Sequence, residues 1–328
     1  MELSRPFIRL PFAFDAGRLA AEAAALPKAA WMPHPSGMRG NSAVALISRD
    51  GGDNDAFDGH MAITPHLRRC AYAQQAMASF SEVLGRSRLM RLEPGCEVAA
   101  HVDFNYHWHT RVRIHVPVVT DPAVIFHCGG AQVHMAAGEC WLFNSWRRHR
   151  VVNSAAITRI HLVIDAAGSS RFWRLVREME ALDPVADAPA IAERSQFVRF
   201  DPNWQGEIAT ERYNTAPVMA PGELDALAAA LISDFEAHPG NNPLLVECYK
   251  RLLTDFCKDW REAWHLHGYT AAGQARYQAL IDALRRELDP NPRALVTASN
   301  EIGVNPIINQ RLLAPALAPN QAANLLDR

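Results

Sequence analysis

Several features are missing from this chain of 328 residues, and each absence narrows the reading. The six cysteines (Cys70, Cys96, Cys128, Cys140, Cys248 and Cys257) include no C-x-x-C pair, so the usual zinc-ribbon and dithiol spacings are absent. Scattered through so long a chain, they read as reduced thiols of a cytoplasmic protein, not as a disulfide framework. No block of lysine and arginine occurs and the net charge is −2, so the electrostatic footprint of a nucleic-acid binder is lacking. No apolar run approaches the roughly 18 residues of a membrane helix. The opening Met-Glu-Leu-Ser-Arg-Pro has no basic stretch followed by an apolar one, so no secretory signal is expected. Internal repeats and low-complexity segments are also missing. What remains is 49% hydrophobic and 21% charged, the composition of a globular protein long enough for two domains, or one large one, with a substantial core.

Three stretches differ in character. Residues 1–85 read as mixed α/β. A helix is expected over Ala16–Ala25, stopped by Pro27, and a strand over Ser42–Ser48. An acidic, glycine-rich loop spans Asp50–Gly59, and a second helix spans Pro65–Leu84, closed by Gly85. From 86 to 168 the chain turns to short β-rich runs: Arg88–Leu92, Arg111–Val119, Ala123–His127, Gln132–Ala136, Cys140–Asn144, Arg150–Asn153 and Thr158–Ala166. Pro94-Gly95, Asp121-Pro122, Gly129-Gly130 and Gly138-Glu139 punctuate them. Strands at this spacing predict a sandwich or barrel. Two of them alternate: Val112, Ile114 and Val116 oppose Arg111, Arg113 and His115, and Ile160, Leu162 and Ile164 oppose Arg159 and His161. A polar strand face commonly meets solvent, but in a small barrel with a polar interior it can point inward. From 170 onward the pattern is helical. Pro221 opens a segment with Leu224, Leu227, Leu231 and Phe235. Asn242-Pro243 is a cap pair for the next helix, whose Leu244, Cys248, Leu252, Phe256, Trp260 and Trp264 predict a continuous apolar ridge. A third helix is expected over Thr270–Leu288, and the tail from Ala314 is expected to fray.

The chemistry is concentrated between His101 and Arg159. His101-Val-Asp103 follows a Pro-Gly turn and a short run, Glu97–Ala100. His149 lies in a later strand-rich context, and Arg159 falls on the last β-run. His-x-Asp by itself carries little in a chain with 14 histidines. The order of all four residues carries more. Two residues apart on an extended segment, His101 and Asp103 project to one side. With His149 they supply the two imidazoles and one carboxylate that occupy one face of an Fe(II) ion and leave three positions open. Zinc favours a tetrahedral set with more histidine or cysteine; this spacing does not exclude it, but Arg159 would then lack a purpose. An arginine at that offset suits the far carboxylate of a keto-acid cosubstrate. Together these residues suggest a mononuclear non-haem Fe(II) oxygenase that uses 2-oxoglutarate.

Longer motifs occur in order. They are Thr110-Arg111-Val-Arg113-Ile-His115-Val-Pro117, Gly138-Glu139-Cys-Trp141-Leu-Phe143-Asn144, His149-Arg-Val-Val-Asn153 and Thr158-Arg159-Ile-His161-Leu-Val-Ile-Asp165. Over residues 86–168 the chain resembles the aspartyl/asparaginyl β-hydroxylase family, and within it the bacterial hydroxylases of free amino acids of the cis-proline type. The resemblance implies an α+β protein with a double-stranded β-helix core, jelly-roll or cupin-like, with flanking helices, using Fe(II), 2-oxoglutarate and O2, with ascorbate in a supporting role. It implies metal ligation by His101, Asp103 and His149, a distal 2-oxoglutarate carboxylate on Arg159, a metal-proximal carboxylate beside His115, and Arg113 near substrate or cosubstrate. Animal members lack the acidic ligand that stands here as Asp103; its presence also argues against a halogenase. On this reading residues 1–168 form the oxygenase domain, with its β-helix core at 86–168, and residues 169–328 a C-terminal all-α region of no assigned role. The expected reaction is hydroxylation of an unactivated C–H of an amino acid, free or within a peptide or conjugate, with release of succinate and CO2. Two alternatives stay open: a protein side-chain hydroxylase that docks its target on the helical region, and a cupin-like sensor that binds metal or ligand without turnover. The partner expected is a small amino-acid-type molecule, with neither nucleic acid nor membrane.

Other residues read more modestly. His107-Trp108-His109 is either a substrate-lining loop, with 104–110 able to close over the site, or an exposed aromatic loop. His127 and His134 read as packed or surface histidines, and Trp141 and Phe143 as core. Asn144, Trp146 and Arg147 lie in the turn before His149, in reach of the pocket's border, but Arg147-Arg148 reads better as a solvated basic turn. His161 shares a face with Arg159 and is expected to line the barrel. His265 and His267, two apart on a helix, do not face each other and make no metal site. Trp260 and Trp264 read as core.

Overall fold

In the computed structural model, residues 3–35 and 37–318 are described. They divide into two compact units: the chain up to Asp103 with Thr110–Asn214, and Phe104–His109 with the chain from Thr215.

The first unit is built on β1 (Phe7–Phe14), β2 (Met32–Pro33), β3 (Asn41–Arg49), β4 (Met61–Ile63), β5 (Leu84–Leu92), β6 (Glu97–His101), β7 (Val112–Val119), β8 (Val124–Cys128), β9 (Ala131–Val133), β10 (Glu139–Phe143), β11 (His149–Asn153), β12 (Arg159–Ala166) and β13 (Gln196–Val198). A large sheet runs β13-β1-β10-β7-β12-β5-β3-β2, with β4 paired to β3, and a small sheet runs β6-β11-β8-β9. From β5 to β12, successive strands cross between the two sheets except at the β8–β9 hairpin. The order β10-β7-β12-β5 faces β6-β11-β8-β9, which is the winding of a double-stranded β-helix. The β8–β9 hairpin turns through Gly129 and Gly130, at φ 53° and 84°, with Cys128 opposite Ala131. Two left-handed residues in a two-residue turn match the twist of the flanking strands, and glycine adopts them without strain.

Alternation decides which face is packed. Val112, Ile114, Val116 and Val118 of β7, with Leu162 and Ile164 of β12, are buried against helices Ala16–Ala25, Ala71–Ala78 and Ser170–Glu180. Asp15 caps the first of these by accepting a hydrogen bond from the Arg18 amide at 3.0 Å. The opposite face meets a second apolar cluster drawn from both sheets, including Leu92, Phe126, Trp141, Phe143 and Val151. The arginine and histidine face of β7 and β12 therefore points into the barrel: His115, Arg159 and His161 are all buried. Trp141 and Phe143 are core, as expected.

Two expectations change in this unit. The helix expected over Pro65–Leu84 splits into Pro65–Arg68 and Ala71–Ala78. Ser81 takes a left-handed φ of 51°, and Leu84 already opens β5. The region after 168 is not all-α: β13 pairs in parallel with β1, Phe12 opposite Gln196, so helices Ser170–Glu180 and Ala188–Arg194 and strand β13 belong to the first unit. A run of three strand residues after helical text left no periodic signal to read.

In the second unit, helices Pro221–Glu236, Pro243–His267 and Gln274–Glu287 carry the core. Asn242 caps the long one, accepting from the Leu244 amide at 2.9 Å. The expected ridge of every fourth residue is replaced by Val246, Tyr249, Leu253, Phe256, Trp260 and Ala263. Leu244 is exposed and Trp264 half-buried. A step of four advances about 40° around a helix of 3.6 residues per turn, so a buried stripe must alternate steps of three and four. His107 and Trp108 are buried in a short helix, Tyr106–Thr110, which removes the exposed-loop reading. Phe104 accepts a hydrogen bond from Arg311 Nε at 3.2 Å. Of the tail expected to fray, Ala314–Ala316 is helical, and residues 319–328 lie outside the described residues. No helix of the described residues is long and apolar enough to cross a membrane.

Candidate metal centre

The small sheet brings the first two sequence candidates together. His101 ends β6 and His149 begins β11, and they are register partners with ring centroids 4.2 Å apart. Asp103 follows β6, held by its amide donating to the Ser145 carbonyl at 3.0 Å. His101 Nε2 lies 3.7 Å from Asp103 Oδ1, and His149 Nε2 lies 3.8 Å from Asp103 Oδ2. One donor atom from each residue falls within 4.8 Å of the others, a grouping able to hold a metal ion.

Both imidazoles are oriented from behind. His101 Nδ1 is 2.7 Å from the Ala99 carbonyl and His149 Nδ1 is 2.9 Å from the Arg147 carbonyl. A carbonyl only accepts, so each Nδ1 carries a hydrogen, which leaves each Nε2, on the side of Asp103, as the nitrogen able to ligate. This is the arrangement by which backbone groups fix the tautomer of ligating histidines. Burial lowers the His149 pKa to about 4, against the opposing pull of Asp103. Its Nε2 is buried without a hydrogen-bond partner, an atom left for an ion. No cysteine takes part, and the donor set of two imidazoles and one carboxylate suits Fe(II).

The large sheet supplies a basic wall. Arg159 opens β12 opposite Leu92 of β5. It is 4% exposed, and burial pulls its pKa down to about 9. Among the described residues it has no carboxylate partner, and its Nε makes no hydrogen bond. His115 on β7 packs edge-on against Phe126 and Phe143, and Phe143 in turn touches the His149 ring. Arg113 meets the carboxylate candidate itself: its Nη1 is 3.3 Å from Asp103 Oδ2 and its Nε 3.8 Å from Asp165 Oδ1.

Sequence reading missed what lies behind Arg113. Arg86 on β5 reaches Asp165 at 3.5 Å and Asp55 at 3.0 Å, and Arg88 reaches Asp55 at 2.6 Å. The acidic loop Asp50–Gly59 is thus pinned to the sheet, with the Arg86 guanidinium 4.0 Å over the Phe57 ring. The alternation Arg86-x-Arg88, two charges on one face of a strand that enters and leaves through Leu84 and Leu92, was the available signal. The turn before His149 is also built: Asn144 donates to the Leu3 carbonyl at 2.7 Å and accepts from the Trp146 amide at 3.1 Å. The Arg147 carbonyl holds His149, and Arg148 is exposed. His134 Nδ1 lies 3.2 Å from the Val124 carbonyl, and His127 is half-buried on β8.

These buried imidazoles set a pH dependence. His149 titrates near 4, and burial holds His115 and His161 well below 6.5. Between about 6.5 and 4 the unfolded chain binds protons that the folded site refuses, so stability falls as pH falls through that window. His149 alone contributes on the order of 3 kcal/mol. The melting temperature of metal-free protein should therefore drop steadily from pH 7 to pH 4. A flat profile would contradict the buried neutral site.

Residues 52–168 match the family model of the aspartyl/asparaginyl β-hydroxylases. Similar solved structures include a 2OG-Fe(II) oxygenase family oxidoreductase from Burkholderia pseudomallei. It is 17% identical, over 50% of this chain and 85% of that one, with a TM-score of 0.35. A predicted oxalate decarboxylase from Thermotoga maritima is 18% identical over 43% and 97%, with a TM-score of 0.26. A cupin domain from Bordetella pertussis is 18% identical over 25% and 79%, with a TM-score of 0.21. No curated protein matches the chain.

Proposed function

We propose, from the match of residues 52–168 to the aspartyl/asparaginyl β-hydroxylase family model, that this protein hydroxylates an unactivated C–H bond of an amino acid, free or carried on a peptide or conjugate, with Fe(II) and 2-oxoglutarate. The observation that carries the reading is the convergence of His101, Asp103 and His149 in a barrel whose wall holds Arg159, buried and without a carboxylate partner among the described residues. Bound there, Fe(II) with 2-oxoglutarate and O2 supplies the oxidation of the C–H bond, with succinate and CO2 as co-products.

The chain's own residues do the rest. His101, Asp103 and His149 hold the metal through Nε2, a carboxylate oxygen and Nε2. Arg159 takes the distal carboxylate of 2-oxoglutarate, where the low-dielectric wall strengthens the pair. His115 donates to the carboxylate nearer the metal. Arg113 orients the Asp103 carboxylate from Oδ2 and presents positive charge to a substrate carboxylate. Phe126, Trp141 and Phe143 keep water from the reacting centre. Cysteine usage without a paired motif supports a cytoplasmic location.

The test is succinate release by the full-length protein given Fe(II), 2-oxoglutarate, ascorbate and a panel of amino acids, free and within peptides. Substrate-dependent succinate with a product heavier by one oxygen is expected. Metal and 2-oxoglutarate binding without succinate would favour a non-catalytic sensor instead.

A further inference from the structure

Two imidazoles inside the barrel are paired with each other. His115 Nδ1 lies 3.4 Å from His161 Nδ1, both rings buried, with their planes at 77°. The Nε2 of each ring is buried with no hydrogen-bond partner. A bond between two ring nitrogens needs one hydrogen and one lone pair. Burial keeps both rings neutral, so each carries a single hydrogen. The rings must then hold opposite tautomers: whichever ring donates from Nδ1 shows a bare Nε2, and the other shows Nε2–H.

Their surroundings select the assignment. His161 is two residues beyond Arg159 on the same strand, hence on the same face, where a bare Nε2 lone pair is favoured by the guanidinium. His115 is the ring on the metal side, since Phe143 touches both it and His149. A carboxylate bound on that side has only acceptors, and an Nε2 lone pair turned toward it would be repelled. We propose that His161 is a positioning residue for the cosubstrate: its Nδ1–H donates to His115 Nδ1 and locks His115 in the tautomer that offers Nε2–H to the carboxylate of a 2-oxo acid. The inference rests on the cosubstrate reading above and adds to it a residue with no other assigned part.

The experiment has two arms, both on the full-length protein loaded with Zn(II) as an inert metal. Isotope-labelled histidine NMR reads the tautomers directly. Hydrogen on Nε2 of His115 and on Nδ1 of His161 is expected; the reverse pair, or the same tautomer on both rings, overturns the proposal. Calorimetry then measures 2-oxoglutarate binding. His161→Leu should weaken it by about 10–100-fold, the range of a lost hydrogen bond to a charged group. His161→Asn, whose side-chain amide reaches the Nδ1 position, should recover to within about threefold of wild type. Wild-type affinity in His161→Leu overturns the proposal and leaves the cosubstrate reading standing. Failure of the wild-type protein to bind 2-oxoglutarate overturns both. Should His161→Leu not fold, the NMR arm on the wild-type protein decides.

Discussion

Replacing His149 with alanine is expected to abolish both metal binding and turnover. The side chain is 3% exposed, its Nδ1 is committed to the Arg147 carbonyl, and its Nε2 faces Asp103 at 3.8 Å. No other imidazole is grouped with His101 and Asp103 to replace it among the described residues. Changes to groups behind a ligand already cost about 10–100-fold in metal affinity, so loss of a ligand should cost more. Asp103→Ala should act alike, with a second consequence: Arg113 would lose a carboxylate 3.3 Å away, leaving its charge less compensated in the barrel wall. Metal analysis beside circular dichroism separates lost ligation from lost fold. His149→Gln, closer in volume, controls for the cavity that alanine leaves. A folded His149→Ala protein that keeps iron and releases succinate would end the assignment.

How much of this was legible beforehand depends on the kind of signal. The grouping of His101, Asp103 and His149 was legible because metal geometry constrains spacing: residues two apart on an extended segment project to one side, and His101 at the end of β6 and Asp103 just beyond it do come together. The barrel was legible because punctuated, alternating strands leave a period of two. Alternation did not say which way the polar face of β7 and β12 turned, since Arg113 and His115 would look the same in water. That was settled by apolar layers on both sides, Leu162 and Ile164 without and Phe126 and Phe143 within. β13 was illegible because three residues carry no period; pairing with β1 makes it a strand. The His115–His161 contact was hidden for a different reason. It joins neighbouring strands 46 residues apart, and single-chain patterning holds no information about which tautomer meets which. The Arg86 and Arg88 contacts to Asp55 were hidden likewise, because a loop rich in aspartate and glycine reads as solvated until its partner strand is known.

Arg159→Met is expected to move two quantities in opposite directions. The guanidinium is buried, opposed by no carboxylate among the described residues, and burial alone pulls its pKa to about 9. Without cosubstrate, such a charge costs stability, so a methionine of similar length should leave the protein equally stable or raise its melting temperature. With cosubstrate, on the function proposed above, the same charge would partner a carboxylate that would otherwise be buried alone. Losing it should weaken 2-oxoglutarate binding by about 3–5 kcal/mol, more than a hundredfold. The wild-type protein should gain thermal stability as 2-oxoglutarate is added, by mass action on the folded state, and the variant should gain almost none. Succinate formation at saturating cosubstrate should recover in part, because Arg159 contributes binding and not metal ligation. A purely structural arginine predicts the reverse pattern: lower stability without ligand and unchanged affinity for 2-oxoglutarate. Melting curves of both proteins, with and without 2-oxoglutarate, distinguish a built-in anchor for a dicarboxylate from a cation that merely packs.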